Sequence, residues 1–246
     1  MRFLCSYKVR GTMKYAASYD TITERYLLHA EKESSWNNLY ERPFMCSIIG
    51  ELAGKAVLDI GAATGFYSLF AQERGAHVTA VDSSSKMLEF IHDADTRGTI
   101  HTVQADVGRG LPFLEDNSQD CIICSLVLHY IEDWTEFLAD CYRVLKMNGR
   151  LFISTHHPVR DSLGHQEKHY SSVEPVTELW GEGKNAFDVT FYSRPLAKIL
   201  QPLLDSPLTL VSINEPLSEK FGEVLDPQRC NSICNIPAFL FLILEK

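Results

Sequence analysis

A strand-like run, Ala56-Val57-Leu58-Asp59-Ile60, empties into Gly61-Ala62-Ala63-Thr64-Gly65 and then into a helical pattern. Gly61 and Gly65 let the backbone turn sharply and approach a ligand, while the helix start presents N–H groups without intrahelical partners. Seventeen residues past Gly65, Asp82 closes a second strand-like run. A carboxylate there sits beside the loop and can accept from both hydroxyls of a ribose. Together these residues point to an adenosine-containing cofactor. The dinucleotide fingerprint G-x-G-x-x-G requires glycine where Ala63 stands, and Asp59 precedes the first glycine by two positions. An acid at that place favours a cofactor carrying an ammonium over one carrying a pyrophosphate.

A second group of residues could face a substrate. His129 and His156 each follow a strand that ends at the same rim, and imidazole is a general base near neutral pH. The segment 156–194 adds His157, His165, His169, Tyr170, Trp180, Phe187, Phe191 and Tyr192. It is too long for an idle connection and reads as a lid or pocket wall for a small organic molecule. Phe187 and Phe191 are expected to pack the lid itself. His129, Tyr130, His156, Tyr170, Trp180 and Tyr192 are the substrate-side candidates. No metal is expected. His165 and His169 stand at i, i+4 but lack the His-Glu-x-x-His pattern, and Cys121 and Cys124 fall in one strand with opposite facing. Cys230 and Cys234 form only an isolated pair.

The elements that must position these residues alternate. Strands are expected over 56–60, 77–82, 99–104, 120–126 and 151–155, with helices over 66–74, 86–94 and 134–145. The helix over 134–145 stops at Lys146-Met147-Asn148-Gly149, a turn signal. Two more strands, 208–213 and 238–244, pair antiparallel at the sheet edge, and helices over 21–34 and 40–51 precede the first strand. The fold class is α/β: a doubly wound, seven-stranded, mostly parallel sheet with an antiparallel C-terminal strand. One domain spans 1–246, with an N-terminal helical cap (1–54), a cofactor-binding core (55–155), the insert (156–194) and a C-terminal helix and hairpin (195–246).

Composition restricts the partners. The 23 Lys and Arg against 32 Asp and Glu leave a formal charge of −9, and residues 111–142 contain no Lys or Arg while holding seven acids. Such a surface disfavours nucleic acid. No apolar run reaches the roughly 20 residues of a membrane helix. Seven scattered cysteines suit reduced thiols in the cytoplasm.

The string 59–65 resembles the first motif of the class I S-adenosylmethionine-dependent methyltransferases, D/E-x-G-x-G-x-G, apart from Ala63 at the middle glycine. The resemblance, of the small-molecule kind (methyltransferase-11-like), continues through 78–88, 104–107, 120–126 with Leu128-His129-Tyr130, and 143–149. It implies a Rossmann-like methyltransferase fold with S-adenosylmethionine as cofactor and S-adenosylhomocysteine as product. It implies that Gly61, Ala62 and Gly65 wall the methionine part, with Asp59 near its ammonium. Asp82 would hold the ribose hydroxyls, flanked by Ser83 and Met87. Asp106 and Val107 would read the adenine, Leu126 would lie close to the sulfonium, and Tyr19 would close over the cofactor. The acceptor would be a small molecule, with or without a general base. Two other readings stay open: a cofactor-binding regulatory module without turnover, and a nicotinamide-linked oxidoreductase.

Overall fold

The computed structural model describes residues 19–30, 35–164, 169–216 and 237–246. Seven strands form one sheet: β1 (Ala56–Ile60), β2 (His77–Asp82), β3 (His101–Gln104), β4 (Gln119–Ser125), β5 (Leu145–His156), β8 (Thr209–Asn214) and β9 (Phe239–Glu245). Their order is β3-β2-β1-β4-β5-β9-β8. The first five run parallel, and β9 lies antiparallel between β5 and β8. The doubly wound sheet expected from the sequence is therefore present.

The central strands read as nearly continuous apolar runs because both of their faces are covered. Leu58, Ile60, Ile122, Cys124, Leu151 and Ile153 pack on one side with α5 (Thr135–Val144) and α7 (Leu196–Asp205). Val57, Cys121, Ile123, Phe152 and Phe241 pack on the other with α2 (Arg42–Ile49) and α3 (Phe66–Glu73). Cys121 and Cys124 thus fall in different halves of the core, as their odd spacing along a strand requires. Each fully buried Leu or Ile contributes about 1.5–3 kcal/mol.

One boundary differs from the sequence expectation. The stop signal at 146–149 predicts a loop before a strand over 151–155, yet β5 begins at Leu145, directly after α5. Asn148 supplies the left-handed turn within it, at φ +62°. The end of the chain makes this possible, because Asn148 N–H donates to Lys246 O and Lys246 N–H donates to Gly149 O. A contact between residues a hundred positions apart overrides the local signal.

The segment between β5 and α7 holds α6 (Pro158–Gly164) and a hairpin of β6 (Glu174–Trp180) and β7 (Phe187–Ser193), a two-stranded sheet of its own. Phe187 and Phe191 are buried with Val176, Val189, Ile22 and Tyr130. They pack the hairpin onto α1 (Tyr19–Ala30), as their spacing suggests. His165, one of the i, i+4 histidines set aside as a metal pair, lies outside the described residues, as do Cys230 and Cys234. Among the described residues no cluster of three or more His, Cys, Asp or Glu forms a metal-holding group.

Candidate active site

Strand order reverses between β1 and β4, and the crevice beyond their carboxyl ends is where ligands enter such sheets. A cavity of about 660 Å³ opens there. The loop after β1 lines it through Gly61, Ala62, Ala63 and Thr64, and the end of β4 lines it through Ser125, Leu126 and Val127. The segment 35–42, α1 and the β6–β7 hairpin close the remaining sides. The volume falls within the range of about 300–1,000 Å³ usual for ligand pockets.

Local conformation at this crevice is unusual. Gly61 adopts φ +67°, and a Cβ on it would stand 2.2 Å from Val127 Cγ2. Ala63 and Leu126 also occupy the left-handed region, at φ +47° and +54°. Leu126 N–H donates to Ser154 O at 2.9 Å, which holds the strained turn in place. Side chains with a Cβ tolerate such angles only where surrounding structure enforces them, and such residues concentrate at functional sites.

The loop and Asp82 fit an adenosine-type group. Asp82 lies on the cavity and accepts from the N–H groups of Ala63 and Ser84, both at 2.9 Å. Two bonds leave a carboxylate with further accepting capacity for a diol. Burial raises its pKa above the usual carboxylate range, opposed by those N–H donors. Met87 lines the wall behind it. At this end α1 is pinned by Lys86 Nζ, which donates to Asp20 O. That contact brings Tyr19 over the cavity, where its hydroxyl meets that of Tyr130.

The opposite side is aromatic. His129 and His156 stack at 3.9 Å between ring centroids, and Phe191 meets both edge-on. Trp180 stacks on His29. His129 is buried, its Nδ1 lacks a hydrogen-bond partner among the described residues, and burial followed by Arg194 and Arg160 lowers its pKa to about 3. It stays neutral at physiological pH. His156 Nδ1 lies 3.7 Å from Asp161, whose carboxyl burial pushes up to about 7. A second, water-sized cavity of about 10 Å³ lies between these three residues, Thr155, Trp134, Tyr192, Arg194 and Ile199.

Tyr19, Gly61, Ala62, Asp82, Met87, Leu126, His129, Tyr130, His156 and Trp180 thus converge on one cavity. Others of the sequence candidates do not reach its lining. Asp59 is buried beneath the loop and accepts from Ser68 Oγ at 2.6 Å, with burial raising its pKa to about 7. Gly65 caps α3 at φ +88°, against Ile91. Asp106 caps a short 3₁₀ turn by accepting from Gly108 N–H, Val107 is buried in the core, and Ser83 O accepts from Gln104. Tyr170 is half exposed, its hydroxyl accepting from Leu196 N–H, and Tyr192 is turned toward Glu132. Sequence reasoning missed Trp36, Tyr40, Glu41, Arg42, Tyr67 and Arg160, all on the lining. Trp36 falls between the two expected N-terminal helices, and Tyr40, Glu41 and Arg42 read in sequence only as the start of the second.

Residues 58–153 match the family model of a methyltransferase domain. A Haemophilus influenzae protein is 26% identical over 80% of this chain and 84% of its own length. Demethylmenaquinone methyltransferase from Thermobifida fusca is 35% identical over 59% of this chain, and the match spans 63% of that enzyme. The crystal structure of an S-adenosylmethionine dependent methyltransferase from Mesorhizobium loti superposes with a TM-score of 0.66 at 21% identity, covering 84% of this chain and 97% of that one. Residues 58–153 are thus similar to a methyltransferase domain, and the strand order is that of the S-adenosylmethionine-dependent methyltransferase fold.

Proposed function

We propose that the protein methylates a small aromatic acceptor, seated in the same cavity as the cofactor. The observation that carries this reading is a single cavity with the glycine loop and Asp82 at one end and His129, His156, Tyr130 and Trp180 at the other. S-adenosylmethionine supplies, when bound, an electrophilic methyl group on a positively charged sulfur. Asp82 holds the ribose diol, Gly61 and Ala62 shape the wall, and Tyr19 with Tyr130 excludes water. The remaining work is alignment, which accounts for much of the rate in such transfers.

The aromatic wall suits a planar acceptor with an ionisable hydroxyl, and the demethylmenaquinone methyltransferase likeness supports a quinol-type compound. His156, backed by Asp161, takes the acceptor's proton, while neutral His129 stacks beside it. The formal charge of −9 favours such a molecule over nucleic acid, and the scattered cysteines favour the cytoplasm. Among the described residues no helix is long and apolar enough to cross a membrane.

Incubation with S-adenosylmethionine and a panel of reduced naphthoquinones, catechols and simple phenols is expected to yield methylated product with at least one. Binding of S-adenosylmethionine without transfer to any of them, together with transfer to RNA or protein, would sink the acceptor class. The cofactor half has its own test. Asp82→Ala is expected to weaken S-adenosylmethionine by about 1.5–3 kcal/mol in calorimetry, the scale of a charge-assisted hydrogen bond. Unchanged affinity with an unchanged melting curve would remove the ribose assignment.

A further inference from the structure

On the α3 side of the sheet the central strands change character at their carboxyl ends. Val57, Ile123 and Phe152 are apolar core residues, but the next side chains on that face are Asp59, Ser125 and Ser154. Polar residues at strand ends pointing into a core need partners. Asp59 takes Ser68, whereas the two serines converge on a carboxylate from a distant part of the chain. Ser125 Oγ donates to Glu41 Oε1 at 2.8 Å, and Ser154 Oγ donates to the same oxygen at 2.6 Å. Tyr67, in the first turn of α3, donates its hydroxyl to Glu41 Oε2 at 2.7 Å.

Glu41 is 1% exposed, yet it lines the cavity beside Ser125 and Leu126. Among the described residues it forms no ion pair. Its neighbour Arg42 donates to Asn38 and lies over the Phe66 ring. Three hydroxyls aimed at both oxygens favour the ionised form, against a burial that raises the pKa. A buried carboxylate held by three neutral donors, with the Arg42 charge acting on it only from a distance, gains when a cation arrives in contact. Asp59, the acid that the family pattern associates with the ammonium, lies off the cavity. Asp82 stands at the other end, by β2.

We propose that Glu41 is the counter-charge for the cationic methionyl end of S-adenosylmethionine. The inference rests on the methyltransferase reading and deepens it. The cofactor's adenosine end is neutral and falls to Asp82, and its charged end falls to a carboxylate supplied by the segment before α2. The three hydroxyls from α3, β4 and β5 position Glu41 and favour its ionised form against its burial.

Glu41→Gln is nearly isosteric, so calorimetry on the variant can compare three ligands: S-adenosylmethionine, S-adenosylhomocysteine and 5′-methylthioadenosine, which lacks both the sulfonium and the ammonium. The expected result is a loss of about tenfold or more for S-adenosylmethionine, with methylthioadenosine unchanged within about twofold. A matching loss for S-adenosylhomocysteine assigns the ammonium, and its retention assigns the sulfonium. Equal losses for all three ligands, or no loss for S-adenosylmethionine, would overturn the assignment and leave Glu41 as a structural cross-link. If Glu41→Gln does not fold, Glu41→Asp keeps the charge and must keep the preference of the wild type for S-adenosylmethionine over methylthioadenosine; loss of that preference overturns the assignment. Failure of the wild type to bind either S-adenosyl compound would instead refute the methyltransferase reading.

Discussion

Gly61→Ala is expected to destabilise the protein by about 2–5 kcal/mol and to abolish cofactor binding in whatever fraction still folds. Two separate costs combine. At φ +67° a residue with a Cβ pays about 1–2 kcal/mol for the left-handed conformation. The added Cβ would also stand 2.2 Å from Val127 Cγ2, inside any real contact distance. Relieving that overlap shifts Val127 or the loop, at the 1–3 kcal/mol typical of overpacking. Both loops at the switch point then move, and both line the cavity. Val127→Ala in the same chain removes the colliding methyl and is expected to recover part of the stability while leaving the φ cost. Chemical denaturation of the single and double variants measures both terms. A Gly61→Ala protein as stable as the wild type would mean that the loop is not built as described.

His129→Phe is expected to make the protein more acid-tolerant, by roughly 3 kcal/mol at pH 4 relative to the change at pH 7. Burial holds the folded His129 pKa at about 3, against an ordinary 6.5. Between those values the unfolded chain binds a proton that the folded one does not. Stability from this residue is therefore full above pH 6.5 and drains away as pH falls toward 3. Asp59 and Asp161 run in the opposite direction. Their folded pKa values of about 7 exceed the ordinary 3.8, so the folded chain binds the extra protons and gains stability as pH falls from about 7 to 4. The wild type sums opposed slopes, and Phe at 129 removes only the one that penalises acid. The ring also preserves the stack on His156 and the edge contact with Phe191. Melting curves of both proteins across pH 4–8 give the comparison, and parallel pH profiles would show that His129 titrates normally.

The glycine-loop end of the cavity was legible in the sequence because its signals are local, whereas Asp59, Gly65, Ser83, Asp106 and Val107 fall off the lining. A glycine loop between strand and helix, and an acid at the end of the next strand, are fixed by backbone geometry within about thirty residues. Gly61, Ala62, Asp82 and Met87 reach the cavity for that reason. The same local logic produced the strand alternation and the antiparallel edge. It failed at 146–149, where Asn-Gly marks a turn but pairing with Lys246 extends the strand. It also placed Tyr170 and Tyr192 on the wall; Tyr170 lies in the turn before β6, and Tyr192 in the hairpin faces either side according to register, which composition does not encode.

What only the tertiary structure decided concerns buried charge. Glu41, in Tyr40-Glu41-Arg42-Pro43, carries no sequence signal beyond the start of the helix expected over 40–51. Its environment is made by Tyr67, Ser125 and Ser154, up to 113 residues away. The neutral state of His129 likewise depends on burial under β7 and on Arg194. Sequence by itself determined the class of fold and the place of Gly61, Ala62, Asp82 and Met87 on the cavity, since both follow from chain-local periodicity and turn chemistry. Solvent exclusion is a property of the assembled sheet and its covering hairpin, and so the upward shifts of Glu41 and Asp161 and the downward shift of His129 arise only there.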